Sequence, residues 1–121
     1  MIVVDTSVWV DHFRDRETAI PELAESGSIL LHSSVLGELM LGGLSRRHPA
    51  ARELRRLPPA PLASPTEVAA LIEWARLANT GIGYVDAHLL ASARSLPEGR
   101  LLTLDASLQA QADRLGIGYP A

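Results

Sequence analysis

Ile2-Val3-Val4-Asp5-Thr6-Ser7 is the stretch on which the fold turns. Three β-branched apolar residues in a row suit a strand buried on both faces. The run stops at an acid followed by two hydroxyl residues. Thr6 or Ser7 is expected to cap a helix over residues 8–14, with Val8, Trp9 and Phe13 within helical reach of one another. Near the other end of the chain, Leu101-Leu102-Thr103-Leu104-Asp105 repeats the arrangement: an apolar strand, an acid, then a helix over residues 106–115.

Between these two units the pattern keeps alternating. Pro21 sits in the first turn of a short helix over residues 18–25. Residues 28–32 read as a strand, and Ser33-Ser34 as the cap of a helix whose apolar face is Val35, Leu36, Leu39 and Met40. Gly42-Gly43 ends it. An arginine-rich helix over residues 49–57 stops at Pro58-Pro59, and residues 60–63 stand where a strand is wanted. Ser64-Pro65-Thr66-Glu67 is a capping serine, a proline at the first position and an acid at the third, opening a helix to about residue 79. A loop over residues 80–83, a helix over 85–95 and a last short strand over 116–119 complete the series. Strands alternating with helices imply a parallel sheet of about five strands with helices on both faces, in a single domain over residues 1–121. Ligands of such sheets bind outside the carboxyl ends of the strands, where Asp5 and Asp105 both fall.

Composition narrows the chemistry. Hydrophobic residues make up 47% and charged residues 21%, the profile of a soluble globular domain. No apolar run reaches the roughly 18 residues of a membrane span, and the N-terminus lacks the charged opening of a signal peptide, so a cytoplasmic protein is expected. There is no cysteine, which excludes disulfides, thiolate metal sites and cysteine nucleophiles. All 11 basic residues are arginine. The absence of lysine excludes P-loop phosphate binding and Schiff-base chemistry as usually built. A net charge of −3 does not exclude a nucleic-acid substrate, because positive charge can be local.

Four acids carry the functional reading. Asp5 and Asp105 end strands; Glu38 lies in an otherwise apolar helical segment, where an acid is costly unless paired or metal-bound; Asp86 opens the helix after the Gly81–Gly83 loop. Each also has a plain structural reading. Asp5 and Asp105 are good helix caps, Asp86 suits the positive end of a helix dipole, and Glu38 can be a surface glutamate. If the four converge, their mutual repulsion calls for a cation, and all-oxygen ligation suits Mg²⁺ or Mn²⁺. Such a site fits phosphodiester hydrolysis by an activated water.

Here the sequence resembles a known family. Residues 2–11 (IVVDTSVWVD) resemble the opening of PIN-domain proteins, especially toxins of the VapC type; Val35-Leu36-Gly37-Glu38-Leu39 resembles their second acidic motif. Residues 83–91 (GYVDAHLLA) resemble the third, and Leu102-Thr103-Leu104-Asp105 the fourth, in family order over nearly the whole chain. The resemblance implies a three-layer α/β/α sandwich, an acidic site holding Mg²⁺ or Mn²⁺, endonucleolytic cleavage of RNA, an antitoxin partner and a homodimer. It makes Asp5, Glu38, Asp86 and Asp105 the metal-binding and catalytic acids. Thr6 and Thr103 become hydroxyls that orient carboxylates or water.

Arg46, Arg47, Arg52, Arg55 and Arg56 lie close together with only Glu53 opposing them. They suit RNA phosphates or an antitoxin, or form a solvated face. Trp9 and Trp74 read as core anchors, and with aromatics at 4% a stacking surface for single-stranded RNA is not expected. His32 is expected to be partly buried, and His88 to point away from Asp86. Three alternatives stand beside the ribonuclease: a non-catalytic metal- or partner-binding domain, a DNA-cleaving nuclease, and a receiver-like signalling domain, against which the missing lysine counts.

Overall fold

In the computed structural model, which describes residues 1–120, the apolar run at the N-terminus is the middle strand of the sheet. The elements follow in the order β1 (Ile2–Val4), α1 (Thr6–Phe13), α2 (Ile20–Glu25), β2 (Ile29–Leu30), α3 (Ser33–Leu41), α4 (Pro49–Arg55), α5 (Pro65–Trp74), α6 (Tyr84–Ser95), β3 (Arg100–Leu102) and α7 (Ala106–Arg114). The strand order is β2-β1-β3, and both pairings are parallel. Ile2 stands opposite Ile29 on one side and Arg100 on the other, so all three strands run toward one rim. Successive strand residues face opposite ways, yet Ile2, Val3 and Val4 are all buried; both faces of β1 are therefore covered. On the helical side of the packing, α6 lies against β1 and β3 and carries α5, while α1 packs against α2 and α3.

The sheet has three strands where about five were expected. The outer two positions are single parallel bridges, Leu31 with Pro59 and Leu101 with Gly118. The reason is local. Pro59 has no N–H to extend a ladder, and Gly116, with φ of +74°, and Gly118 leave too little regular chain for a strand. Each edge still makes two backbone hydrogen bonds: Leu31 N to Pro58 O (2.9 Å) and Ala60 N to Leu31 O (2.8 Å), and Leu101 N to Ile117 O (2.8 Å) and Tyr119 N to Leu101 O (2.9 Å).

Two helix starts differ from the expectation in their capping residue, and one helix differs in its extent. Asp5, not Thr6 or Ser7, caps α1, its side chain accepting from Thr6 N. His32, not Ser33 or Ser34, caps α3 through Nδ1. The Ser64–Glu67 capping box forms as read, but α5 ends at Trp74 rather than near residue 79, where Arg76 and Asn79 adopt positive φ. Trp9 is a core residue; Trp74 is not. It is 64% exposed, with the Arg94 guanidinium 4.3 Å above its ring. No helix among the described residues is long and apolar enough to cross a membrane.

Candidate active site at the carboxyl rim of the sheet

β1 delivers Asp5 to the rim and β3 delivers Thr103 beside it. Asp5 is buried, and both its oxygens are held. Oδ1 accepts from Thr6 N at 2.8 Å; Oδ2 accepts from Ser7 Oγ at 2.8 Å and Thr103 Oγ1 at 2.7 Å. Thr103 Oγ1 in turn accepts from Asp105 N at 3.0 Å, which fixes the start of α7. The carboxylate of Asp105 caps that helix through Oδ1, accepting from Leu108 N at 3.0 Å. On the other flank, Thr6 Oγ1 donates to Glu38 Oε1 at 2.7 Å and brings α3 to the first turn of α1.

Asp86 enters from α6. Its Oδ2 accepts from Gly83 N at 2.9 Å, which is half of a capping box, since Gly83 has no side chain to complete it. Its carboxyl is pushed above the ordinary aspartate value, first by burial, with the Gly83 N–H opposing and the charges of Asp5, Asp105 and Glu38 adding to the rise. Asp86 thus senses all three other acids. The structure places Asp5, Glu38 and Asp105 within charge–charge range of Asp86, and the capping roles read for Asp5 and Asp105 and the helix-dipole role read for Asp86 hold at the same time. The positive ends of α1, α6 and α7 lie beside carboxylates that would otherwise only repel one another.

Among the described residues, Glu38 Oε2, Asp86 Oδ1 and Asp105 Oδ2 take no hydrogen bond from the protein. Each is a free oxygen donor on a group tethered through its other oxygen. As they lie, no three of these acids close tightly enough around one point to hold an ion. Each is held by its own local donor, and the all-oxygen donor set is of the kind that suits a hard divalent cation.

The sequence reading named Ser7 as a candidate helix cap and not as a site residue. Its hydroxyl donates to Asp5 Oδ2 and accepts from Leu104 N at 3.0 Å, joining the first turn of α1 to the end of β3. The signal available was a hydroxyl two residues past Asp5; only the pairing of β1 with β3 reveals its partner. His88 packs edge-on against Tyr84, ring centroids 4.7 Å apart. Arg46, Arg47, Arg52, Arg55 and Arg56 are all exposed and form no ion pair among the described residues. A cavity of about 440 Å³ adjoins the cluster at Thr6 and Glu38.

Comparison with known proteins agrees with this architecture. FitAcB from Neisseria gonorrhoeae has a similar fold, with a TM-score of 0.64 and 22% identity over 93% of this chain and 94% of that one. PAE2754 from Pyrobaculum aerophilum is more distant, at a TM-score of 0.56 and 16% identity over 92% of this chain and 78% of that one. Ribonuclease VapC32 of Mycobacterium tuberculosis (strain ATCC 25618 / H37Rv) is 36% identical over 117 residues, covering 97% of this chain and 94% of the relative. The PIN domain family model matches residues 2–116, and the chain belongs to that family.

Proposed function

We propose that this protein is a divalent-metal-dependent endoribonuclease of the VapC type, the toxin of a toxin–antitoxin pair. The observation that carries this reading is the 36% identity to Ribonuclease VapC32 along 97% of the chain. The gathering of four acids at one rim supports it. In this reading Asp5, Glu38, Asp86 and Asp105 hold Mg²⁺ or Mn²⁺ and are the catalytic acids. A cation held there supplies the positive charge that lets water attack a phosphodiester near neutral pH.

The chain's own residues do the rest. Thr103 and Ser7 fix the Asp5 carboxylate in one orientation, so it need not reorganise when substrate arrives. Thr6 holds Glu38 by one oxygen and leaves the other available. Gly83 does the same for Asp86 through its backbone N–H. The exposed arginines from Arg46 to Arg56 offer guanidinium groups for RNA phosphates or for the antitoxin. The antitoxin silences the site by covering it, and the toxin works as a cytoplasmic homodimer.

The ends of the products test the chemistry. Attack by water with departure of the 3′-oxygen leaves a 5′-phosphate and a 3′-hydroxyl, and these ends are expected. Fragments ending in 2′,3′-cyclic phosphate would mean that the 2′-hydroxyl attacked, and would remove this mechanism. Equal cleavage of a DNA strand of the same sequence would favour the DNA-nuclease alternative.

A further inference from the structure

Thr6, Val10 and Phe13 fall at helical spacing on one face of α1, with Arg14 at its end. They face α3 and the loop over residues 42–48, and the space between is the cavity of about 440 Å³ beside the acid cluster. That volume lies within the roughly 300–1,000 Å³ of small-ligand pockets. Thr6 and Glu38, which line it, belong to the acid cluster. Phe13, Arg14 and His48, which also line it, are exposed and lie outside the cluster.

We infer that this cavity takes one unstacked base of the RNA strand whose neighbouring phosphate lies at the acid cluster; the inference rests on the nuclease reading above. Three features fit a base. Phe13 packs on Trp9, ring centroids 5.9 Å apart, and is still 38% exposed, which leaves part of its ring open for stacking. His48 caps α4 by accepting from Ala50 N at Nδ1 (3.1 Å), so in its neutral form Nε2 carries the proton and is a fixed donor. Among the described residues the carbonyls of Gly42 and Gly43 accept no hydrogen bond from the protein, so the same loop offers acceptors. Donor and acceptors together can read the edge of a base.

Charge argues for RNA as the occupant. A cluster of four acids repels a polyanion, and Arg14 is a cation lining the adjoining cavity and forming no ion pair among the described residues. A phosphate flanking the bound base would meet it. The low aromatic content led to the expectation of no stacking surface; the exposed Phe13 departs from it by one ring, which accommodates one base and not a stacked run.

The experiment is a set of titrations of the four ribonucleoside 5′-monophosphates, and of inorganic phosphate, into ¹⁵N-labelled protein with Mg²⁺. They are repeated with Phe13→Ala, Phe13→Leu and Arg14→Gln, whose amide spectra also report that they fold. The leucine variant keeps packing on Trp9 and removes only the aromatic face. Shifts at residues 13 and 42–44 are expected, one base binding more tightly than the others and weakening on the order of tenfold in either Phe13 variant. Shifts confined to the acid cluster, or matched by inorganic phosphate, would overturn the inference and leave the cavity to a protein segment. The cut sites in a random RNA pool separate the two readings. Cleavage whose preference next to the cut is unchanged by Phe13→Leu overturns the base pocket and leaves the nuclease. Base-selective binding at residues 42–44 in a protein that cuts nothing upholds the pocket and removes the nuclease.

Discussion

The hydroxyl of Thr103 donates to Oδ2 of Asp5 at 2.7 Å, joining the carboxyl ends of two neighbouring parallel strands across 98 residues of chain. Because the same hydroxyl accepts from Asp105 N at 3.0 Å, one side chain sets both the first and the last of the four acids. Thr103→Val keeps the shape and removes the hydroxyl. It leaves a buried carboxylate oxygen short of a donor and an N–H short of an acceptor, at a cost of about 1–3 kcal/mol in urea unfolding. RNA cleavage is expected to fall about 10–100-fold, the usual effect of losing a group that orients a metal-binding carboxylate. Unchanged cleavage in a folded variant would show that Thr103 only holds the sheet.

Asp86 makes the stability of the metal-free protein depend on pH. Its folded value lies above its ordinary value of 3.8, so the ionised carboxylate opposes folding of the metal-free protein. That penalty is full above the raised value. It fades as the pH falls through that value, and it is gone below 3.8. Asp86→Asn, whose amide oxygen can still accept from Gly83 N, is expected to raise the melting temperature of metal-free protein at pH 7 and to match wild type near pH 3. Added Mg²⁺ is expected to stabilise wild type and to do much less for the variant. A variant less stable than wild type at pH 7 would contradict the reading of Asp86 as a strained charge.

His32 works in the opposite sense. It is buried, its Nδ1 accepts from Ser34 N at 3.1 Å, and burial, then the nearby His88, hold its pKa below the ordinary 6.5. Protonation would turn the capping acceptor into a donor and place a charge in the core. The contribution of His32 is therefore complete above pH 6.5 and is lost as the pH falls toward its depressed folded value. His32→Asn, a neutral capping residue, is expected to flatten the fall in stability between about pH 7 and 5. Parallel pH profiles for the two proteins would show that other groups cause the fall.

Ser64, the cap of α5, is a control that makes no hydrogen bond to the four acids. Its hydroxyl accepts from Glu67 N at 3.1 Å, and the Glu67 carboxylate accepts from Ser64 N at 3.0 Å, which holds that carboxyl below its usual range. Ser64→Ala is expected to cost about 1 kcal/mol by denaturant unfolding. Its cleavage rate per folded molecule should equal that of wild type. A large loss of rate would mean that α5 is coupled to the site, through α6 on which it packs.

How much of this was legible in the sequence follows from the range of each interaction. Local signals read well. Ile2–Val4 is a buried strand because three β-branched residues allow little else, and Ser64 to Glu67 opens a helix because the box closes within four residues. Asp5, Asp86 and Asp105 were visible at strand and helix ends and Glu38 inside an apolar helical segment, but taken singly two read as caps, Asp86 as a helix-dipole partner and Glu38 as a surface glutamate. Asp5 and Asp105 are caps, and Asp86 reaches back to the capping residue Gly83. What the sequence did not show depends on pairing across the fold. Ser7 meets Leu104 only because β1 and β3 are neighbours. His32 displaced the serines as a cap because the end of β2 points its ring at Ser34. Trp74 was read as core from its type alone, yet α5 turns it outward beside Arg94. The edge strands shrank to single bridges because proline and glycine occupy the positions that would have carried them.

The most direct test of the account is cleavage of a mixed RNA pool by purified, antitoxin-free protein in Mg²⁺ or Mn²⁺, beside an EDTA control and an Asp5→Asn variant confirmed to be folded. Fragments are expected only with metal, and none from the variant. Cleavage that survives both EDTA and Asp5→Asn would contradict the assignment of these acids. No cleavage of any RNA by folded, metal-loaded wild type would contradict the enzyme itself.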